Sequence, residues 1–403
     1  MTLDDFAFLL SDEGHRFLAD MAKMSVTPQT HLQIASWLRQ KLPKNQAQAV
    51  LETAVLRQQA TTKFRRAPEM YFVRAALEQA SAETVAQHRA RRFADLGCAH
   101  IADLGCGIGG DAIALAAQAE VTGVEWEPVR LVMAQENVRV YGFGDRFHPL
   151  QADLRNLTPL GNMDALFFDP ARRDGQGRRF FSLAQYQPPL RVVDRWRTVV
   201  PDTAVKISPG VDYAELPADA EVEFVSLAGE MKEGVLWYGR FHSGVARRAT
   251  LLPAGDTLTT ADLPEEPIPS TQPKAYLYEP DAAIIRAHLV QAVAAHLGTN
   301  QIDDSIAYLT GETAVQTPFA RCFAIEDWFP FQLKQLRHYL RERQVGSVTI
   351  KKRGSPLEPD KLQRQLRLSG SKQNHRFLFL THVLGEPSVI VATKELYESG
   401  QAL

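Results

Sequence analysis

The sequence has few cysteines, no long apolar run and almost no net charge. Its three cysteines, Cys98, Cys106 and Cys322, form no CxxC pair and no cluster with histidine, which argues against a disulfide framework or a structural zinc site. No segment approaches the roughly 18 apolar residues of a transmembrane helix, and the acidic N-terminus does not resemble a secretory signal. The formal net charge of −2 gives no overall reason to bind nucleic acid or membrane. We therefore expect a cytoplasmic protein without a membrane segment or a metal site.

What is present is the composition of a folded globular protein. The 403 residues are 45% hydrophobic and 23% charged, which is enough for two or three domains with sizeable cores. Residues 1–95 have helical periodicity, including "VRAALEQASAETVAQHRARRF", which has no internal Gly or Pro. Within it "SAET", Ser81 to Thr84, resembles a capping box, although its fourth residue is Thr. Residues 96–245 alternate between strand and helix patterns. Residues 246–325 begin with a segment rich in Pro, Thr and acids and predict a linker or irregular bridging region, and residues 326–403 predict a small α/β domain.

The alternating region predicts a mostly parallel, doubly wound sheet. Its first five strand candidates are "HIADLG", "EVTGVEW", "RFHPLQAD", "MDALFFDP" and "TAVKISPG". Two further strand patterns follow in "AEVEFVSLAGEMKEGVLWYGRF" with too short a connection for a parallel crossover. The sheet is therefore expected to end in an antiparallel pair, unlike a plain dinucleotide-binding domain.

A glycine-rich loop, "ADLGCGIGGDAIALA", joins the first predicted strand to the next helix. Gly105, Gly107 and Gly109 allow a tight turn and let a ligand lie against the backbone at a helix N-terminus. Such loops also occur in nicotinamide-binding domains, and glycines can serve packing alone. The loop by itself leaves these alternatives open.

Acidic residues at matching points of consecutive strand–helix units favour S-adenosylmethionine over a dinucleotide. Asp103 lies in the first strand, where a carboxylate suits a cationic amino acid group and would repel a pyrophosphate. Glu125 ends the second strand and suits a ribose diol. Asp153 follows the third strand and can accept a hydrogen bond from an adenine amino group, with Leu154 beside it.

These motifs resemble those of class I S-adenosylmethionine-dependent methyltransferases. The residues from about 71 to 169 are similar to trimethylguanosine synthases, which methylate the guanine amino group of RNA caps, and the last 75 or so residues resemble a THUMP-like domain. The resemblance implies a Rossmann-like, seven-stranded α/β core, an N-terminal helical region and a small C-terminal RNA-binding α/β domain. It also implies that Asp103, Gly105 and Gly107 line the methionine end, that Glu125 binds the ribose, and that Trp126 packs against the adenine, although a core position for Trp126 is an alternative.

The fourth strand ends in "FFDPARR", where the resemblance places the methyl-transfer site. Asp169 and Pro170 supply acceptors for an amino group, so we predict catalytic roles for them. Arg172 stands where the related enzymes have a base-stacking aromatic, and its planar guanidinium can stack on a base instead. With Arg173, Arg178 and Arg179 it would form a basic edge to the site. The alternative is a proline-terminated strand followed by a solvated basic loop.

Positive charge is concentrated near the C-terminus. The segment from Gln332 to Phe377 contains twelve Lys and Arg residues and three acids, which gives a local charge of +9. Such a segment suits phosphate binding, although a solvated surface is the simpler explanation of a charge run. The predicted RNA contacts there are Lys351, Lys352, Arg353, Lys372 and Arg376.

The sequence thus predicts an RNA methyltransferase that uses S-adenosylmethionine, with a guanine amino group as the preferred target by resemblance. A methyltransferase acting on a small molecule or a protein is a second hypothesis. A third is a non-catalytic RNA-binding protein that keeps the cofactor pocket, because the "DPAR" tetrapeptide departs from the related motif.

Overall fold

In the computed structural model the N-terminal region is helical, as predicted. The residues described are 1–24, 26–157, 161–171 and 182–397. The helices of this region are α1 Leu3–Leu10, α2 Asp12–Ala22, α3 His31–Arg39, α4 Lys44–Ala60, α5 Arg74–Gln79 and α6 Glu83–Asp95. A capping box starts α1, in which the Thr2 hydroxyl accepts from the Asp5 amide at 3.2 Å and the Asp5 carboxylate accepts from the Thr2 amide at 2.9 Å. The helices pack through buried side chains such as Phe6, Leu38 and Leu56.

The helical segment from Val73 to Phe93 forms two helices, and the break between α5 and α6 lies at the "SAET" stretch that resembles a capping box. The Lys63 ammonium donates to the carbonyl oxygens of Leu77, Glu78 and Ala80 at 2.8, 3.2 and 2.8 Å. These carbonyls are among those that the end of a helix leaves without intrahelical partners. A cation 14 residues earlier in the chain therefore caps α5, and helical periodicity could not reveal it.

The alternating region forms the predicted sheet. Its elements are β1 His100–Leu104, α7 Gly110–Ala116, β2 Glu120–Glu125, α8 Pro128–Val140, β3 Phe147–Gln151, β4 Ala165–Phe168, α9 Arg191–Arg197, β5 Thr203–Ile207, β6 Glu221–Leu227, β7 Glu230–Trp237, β8 Arg247–Leu252 and β9 Asp256–Thr259. The strand order is β3-β2-β1-β4-β5-β7-β6-β8-β9. Strands β1 to β5 pair in parallel and β7 pairs antiparallel to β5, as predicted. The sheet does not end there, because β8 pairs with β6 and β9 with β8, which gives nine strands instead of the expected seven.

Helices cover both faces of this sheet at β4. Phe167 meets Phe93 of α6 edge-on with ring centroids 6.4 Å apart, and Phe168 meets Trp196 of α9 in the same way at 5.1 Å. Because neighbouring strand residues point to opposite faces, α6 and α9 lie on opposite sides. All four residues of β4 and all five of β5 are buried, as expected for central parallel strands.

The chain divides into two compact units. The first comprises Met1–Glu221 and Gly234–Gly244, and the second comprises Val222–Glu233 and Val245–Leu403. The later elements of the second unit are β10 Tyr276–Pro280, α10 Ala282–Arg286, α11 Val290–Leu297, β11 Asn300–Asp303, β12 Ile306–Gly311, β13 Ala320–Pro330, α12 Leu333–Glu342, β14 Val345–Lys352, α13 Pro359–Leu366, β15 Ser371–Val383 and β16 Glu386–Tyr397. A second sheet has the order β11-β12-β10-β13-β16-β15-β14.

Residues 246–325 are more regular than the composition suggests. They hold β8 to β12 and the start of β13, and the longest stretch without helix or strand is the proline-rich 263–275. The pairing is non-local, since β8 joins β6 in parallel with Arg247 opposite Val222. Two short helices, α10 and α11, follow β10 and are separated at His288, whose φ is +56°. Local composition could indicate neither feature.

In the second unit, α12 and α13 share one face of the second sheet. Leu336 and Leu340 of α12 and Leu362 of α13 belong to one buried cluster with alternate residues of the strands, including Leu378 and Val391. The intervening strand residues, such as Phe379 and Ile390, belong to a different cluster. The period-two alternation of β15 and β16 thus gives the sheet two apolar faces, one of them covered by the two helices.

Candidate active site

The glycine loop and the "DPAR" segment meet where the strand order reverses. Strand β1 lies between β2 and β4, so its carboxyl end borders the crevice in which open α/β sheets bind ligands. The Asp169 amide donates to the Leu104 carbonyl at 3.2 Å. Gly105 has a φ of +84°, and a Cβ there would lie 3.0 Å from the Asp169 carbonyl oxygen. Glycine is therefore required at 105 both for the turn and for this close approach.

The Asp103 carboxylate is buried without a partner. Its side chain is 1% exposed, and neither oxygen has a hydrogen-bond partner among the described residues. Burial raises the pKa of Asp103 well above its ordinary value, and the carboxylates of Asp111 and Asp169 add to this effect, while Arg89 and Lys206 oppose it. An unsatisfied buried acid of this kind is complementary to a cationic ligand group.

Backbone amides hold the Glu125 carboxylate at the end of β2. It accepts from Gly107 at 3.2 Å, from Trp126 at 2.9 Å and from Glu127 at 3.0 Å. A carboxylate has about four lone-pair sites, so three amide donors leave capacity for a ribose hydroxyl. The same contacts tie Glu125 to the glycine loop. Gly109, whose φ is +82°, ends the loop immediately before α7.

The residues predicted for the adenine end border the same loop. Trp126 is 69% exposed, so the alternative that places it in the core is wrong. Asp153 is ion-paired with Arg155 at 2.6 Å, and this partner holds the pKa of Asp153 below its ordinary value. Leu154 lies 3.9 Å from the position that a Cβ on Gly105 would take. The adenine-binding roles of these residues remain predictions.

Asp169 is ion-paired with Lys206. The ammonium of Lys206, on β5, lies 2.7 Å from Asp169 Oδ2 and 2.9 Å from the Ser81 hydroxyl. The Arg89 guanidinium also donates to Ser81 at 2.9 Å and forms an ion pair with Asp111. Lys206 lies in the predicted fifth strand "TAVKISPG", and Ser81, Arg89 and Asp111 were not predicted as site residues. A lysine inside an apolar strand was the one available signal.

The rest of the "DPARR" segment is only partly described. Pro170 is buried, and Ala171 forms a two-way backbone bridge with Gln187, with both hydrogen bonds at 3.1 Å. Arg172, Arg173, Arg178 and Arg179 lie outside the described residues. Their predicted roles in base stacking and phosphate contact stay predictions.

The five cations predicted to contact RNA in the second unit differ in their exposure and in whether they form ion pairs within the protein. Lys351 is ion-paired with Glu279, Lys352 with Glu358, and Arg376 with Glu326, while the Arg353 guanidinium lies 5.1 Å from the Tyr308 ring centroid. Of these five cations, only Lys372 is both exposed and outside any ion pair with a described residue. Between 332 and 377, a stretch described throughout, further exposed cations without an ion pair to a described acid are Lys334, Arg341, Lys361, Arg364 and Arg367.

Comparisons with known proteins agree with this geometry. Three family models match parts of the chain. Residues 2–60 match a domain of unknown function, and residues 98–175 match the RNA cap guanine-N2 methyltransferase family. Residues 320–394 match the family described as THUMP domain-like. An uncharacterized S-adenosylmethionine-dependent methyltransferase of Mycobacterium tuberculosis is 36% identical over 339 residues, which cover 80% of this chain and 90% of the relative. The proteins of the two strains, CDC 1551 and H37Rv, give the same values.

A solved structure supports the fold over nearly the whole chain. It comes from Porphyromonas gingivalis W83 and is described as a candidate methyltransferase, with a TM-score of 0.73 and 21% identity. The match covers 92% of this chain and 100% of the other.

Fold and site together define a class I methyltransferase with a C-terminal THUMP-like domain. The chain belongs to the family of S-adenosylmethionine-dependent methyltransferases represented by the M. tuberculosis relative.

The residues present fit S-adenosylmethionine, the cofactor of this family. The partnerless Asp103 carboxylate complements its ammonium group, and the glycine at 105 keeps the loop backbone open beside Asp169. Glu125 retains acceptor capacity for the ribose. When bound, the cofactor supplies an electrophilic methyl group on a sulfonium.

Membrane-spanning helices and metal-binding clusters do not occur in the described part of the chain. None of the helices there is long and apolar enough to cross a membrane. Within the same ranges, no group of three or more His, Cys, Asp or Glu side chains is arranged to hold a metal ion.

Proposed function

We propose that this methyltransferase acts on the amino group of a guanine in structured RNA such as tRNA or rRNA. The observation that carries the proposal is the position of the Asp169 carboxylate, ion-paired at the end of β4 and backed against the glycine loop. The match of residues 98–175 to the RNA cap guanine-N2 methyltransferase family supports a guanine amino group. The THUMP domain-like match of residues 320–394 supports an RNA substrate.

An ionised Asp169 suits the chemistry of an exocyclic amino group. Such a nitrogen is a poor nucleophile because its lone pair is delocalised into the ring. A carboxylate only accepts hydrogen bonds, whereas guanine presents N–H donors on both its ring nitrogen and its amino group. Asp169 can therefore orient the base and draw electron density back to the amino nitrogen, while adenine would place a ring lone pair against the same carboxylate.

Transfer then needs mainly positioning. The bound cofactor would supply the methyl group, so the protein has chiefly to hold the amino nitrogen in line with it. The methylated nitrogen would release one proton, for which Asp169 would be the acceptor. Arg172 would stack on the base in place of the missing aromatic.

In the second unit, the exposed cations on α12 and α13 support phosphate binding. Lys334 and Arg341 lie seven residues apart on α12, and Lys361 and Arg364 lie three apart on α13, so each pair shares one helix face. The buried leucines of both helices face the sheet, which leaves the cations in solvent. The Arg337 guanidinium donates to the Gln365 carbonyl at 2.7 Å and joins the two helices. The resulting basic surface is suited to an RNA backbone.

The proposal is tested by methyl transfer from tritium-labelled S-adenosylmethionine to RNA of cells that lack this protein. We expect label with the wild type and its loss, by at least about 100-fold, with Asp169→Ala and Asp169→Asn, since positioned proton acceptors contribute about 10²–10⁴-fold. Digestion of the labelled RNA should yield N2-methylguanosine.

A matched control is Asp164→Ala. Asp164 precedes the same strand at its amino end, and its carboxylate accepts from the Ala99 and His100 amides, both at 2.8 Å. We expect this variant to keep methyl transfer. No label in RNA, with cofactor binding intact, would reject the proposal in favour of a small-molecule or protein substrate or of a non-catalytic protein. A different labelled nucleoside would reject the guanine assignment alone.

A further inference from the structure

Lys206 is a buried cation in the middle of the candidate active site. It is 3% exposed, and its ammonium contacts Asp169 Oδ2 at 2.7 Å and Ser81 Oγ at 2.9 Å. A buried ammonium needs such partners because removing the charge from water costs several kcal/mol. An apolar residue would fill β5 at lower cost, so the charge calls for a reason beyond packing.

We infer that Lys206 is a positioning residue that keeps Asp169 ionised and correctly oriented to accept the amino protons of the methyl acceptor. This inference rests on the proposed function, because it concerns the carboxylate assigned there to the acceptor group.

Orientation follows from the contacts. Lys206 binds one defined oxygen of Asp169, and a carboxylate has about four acceptor sites, so this contact fixes the carboxylate and leaves capacity for a substrate. The ammonium is itself held by Ser81, which also accepts from Arg89. Because Ser81 lies in the break between α5 and α6, the position of Asp169 depends on the N-terminal helical region.

Ionisation follows from the surrounding charges. Among the described residues, the charged groups near Asp169 are Asp103 on β1, Asp111 on α7, Arg89 on α6 and Lys206 on β5. Arg89 is paired with Asp111, and Lys206 is in direct contact with Asp169. An opposite charge at this distance favours the ionised form of a carboxyl group, whereas the neighbouring acids Asp103 and Asp111 favour its protonated form. A protonated Asp169 would present a hydroxyl donor towards an amino group.

The first test is the pH profile of kcat/KM for Lys206→Met with the full chain and an RNA substrate. We expect the acid limb to move to higher pH by about 1–3 units, the range for an opposite charge at this distance. At a pH below the acid limbs of both proteins, kcat/KM of Lys206→Met should be about tenfold lower than that of the wild type for each pH unit by which its limb has moved. At high pH the loss should be much smaller, and Lys206→Arg should restore most of the wild-type profile.

The matched control is Arg92→Met. Arg92 forms another ion pair in the same unit, 2.8 Å from the fully buried Glu221, and it also donates to the Phe241 carbonyl. Its loss should lower stability and leave the acid limb in place. An equal change of activity at every pH for Lys206→Met, or the same shift for Arg92→Met, would reduce Lys206 to a structural role and overturn the inference.

A second readout does not depend on activity. Carbon-13 NMR of the Asp carboxyls, with the Asp169 signal assigned by Asp169→Asn, follows protonation directly. The Asp169 midpoint should move to higher pH in Lys206→Met and stay near the wild-type value in Lys206→Arg. An unchanged midpoint in Lys206→Met overturns the inference.

Should the Met variant fail to fold, Lys206→Arg and Ser81→Ala carry the test, with Ser81→Ala giving a smaller shift in the same direction. If the wild type labels no RNA, the proposed function fails, while this titration still decides whether Lys206 sets the ionisation of Asp169.

Discussion

Asp103 links cofactor binding to the pH dependence of stability. Burial and two neighbouring carboxylates raise its pKa in the folded protein above the value of about 3.9 in an unfolded chain. Between these two values the folded state retains a proton that the unfolded state has lost, so stability falls as pH rises through the interval. At neutral pH the folded protein therefore carries the cost of a partnerless acid, which a bound ammonium group would relieve.

Asp103→Asn should accordingly stabilise the cofactor-free protein while weakening cofactor binding. Because asparagine carries no charge, the substitution removes the cost of ionising a buried group, so the free energy of unfolding at pH 7 should rise by about 1.4 kcal/mol for each unit by which the pKa of Asp103 is raised. The gain should shrink as the pH falls towards 4, where the wild-type acid is protonated. Urea denaturation at several pH values measures the first effect, and calorimetric titration with S-adenosylmethionine the second.

Asp153→Asn is the matched control for this prediction. Asp153 is only partly buried and already paired with Arg155, so its replacement should change neutral-pH stability by no more than about 0.5 kcal/mol. A loss of stability in Asp103→Asn at neutral pH would contradict the assignment of Asp103 as an uncompensated acid.

At the scale of elements, the break between α5 and α6 places Ser81 beside Lys206 and Arg89. A continuous helix would carry residue 81 within a regular turn instead. The break is held by Lys63, whose ammonium binds carbonyls on and after the last turn of α5. The local stability of this capped end thus bears directly on the geometry around Asp169.

Lys63→Met should destabilise the break without removing any group from the site. Hydrogen bonds to charged groups contribute about 1.5–3 kcal/mol, so we expect a loss of this order in the free energy of unfolding. Hydrogen exchange of the amides in 74–95 should become faster, as mass spectrometry can measure. The exposed Lys23, which is ion-paired at the surface with Asp20 at 3.2 Å, gives the control Lys23→Met, which should leave both quantities unchanged. Unaltered exchange in Lys63→Met would show that the cap does not hold the break.

For the whole molecule, charge is distributed unevenly. The chain as a whole is close to neutral, while the segment from 332 to 377 carries +9. Its cations divide into those that neutralise acids, such as Lys351 and Arg376, and those exposed on α12, on α13 and just after it. Only the second group can release counterions from an RNA backbone without breaking an internal ion pair.

The triple variant Lys361→Ala, Arg364→Ala and Lys372→Ala should weaken RNA binding and its dependence on salt. Removing one phosphate-binding cation lowers the slope of log affinity against log salt by about 0.7–0.9, so removing three should lower it by about 2–3. Fluorescence anisotropy with a structured RNA at several salt concentrations measures both quantities. The charge-conserving set Lys361→Arg, Arg364→Lys and Lys372→Arg should keep the wild-type slope. An unchanged slope in the alanine variant would exclude this surface from RNA binding.

The sequence by itself determined the features of this protein that depend on residues close together in the chain. The positive φ of Gly105 follows from local sterics. The alternation of strands and helices, with acids at the strand ends, can be recognised from short spacings along the chain. For this reason the fold class and the cofactor could be predicted. The core position considered for Trp126 was wrong, because the exposure of a side chain depends on what packs nearby.

Only the tertiary structure decided which charges are paired. Lys206 is 37 residues from Asp169 and 125 from Ser81, and Lys351 and Arg376 find their acids 72 and 50 residues away. A run of charges is a property of the local sequence, whereas the partner of each charge depends on contacts between distant segments. Coulombic attraction falls with distance and with solvent screening, so the fold that brings these segments together determines which side chains are held in ion pairs and which remain available to an external partner.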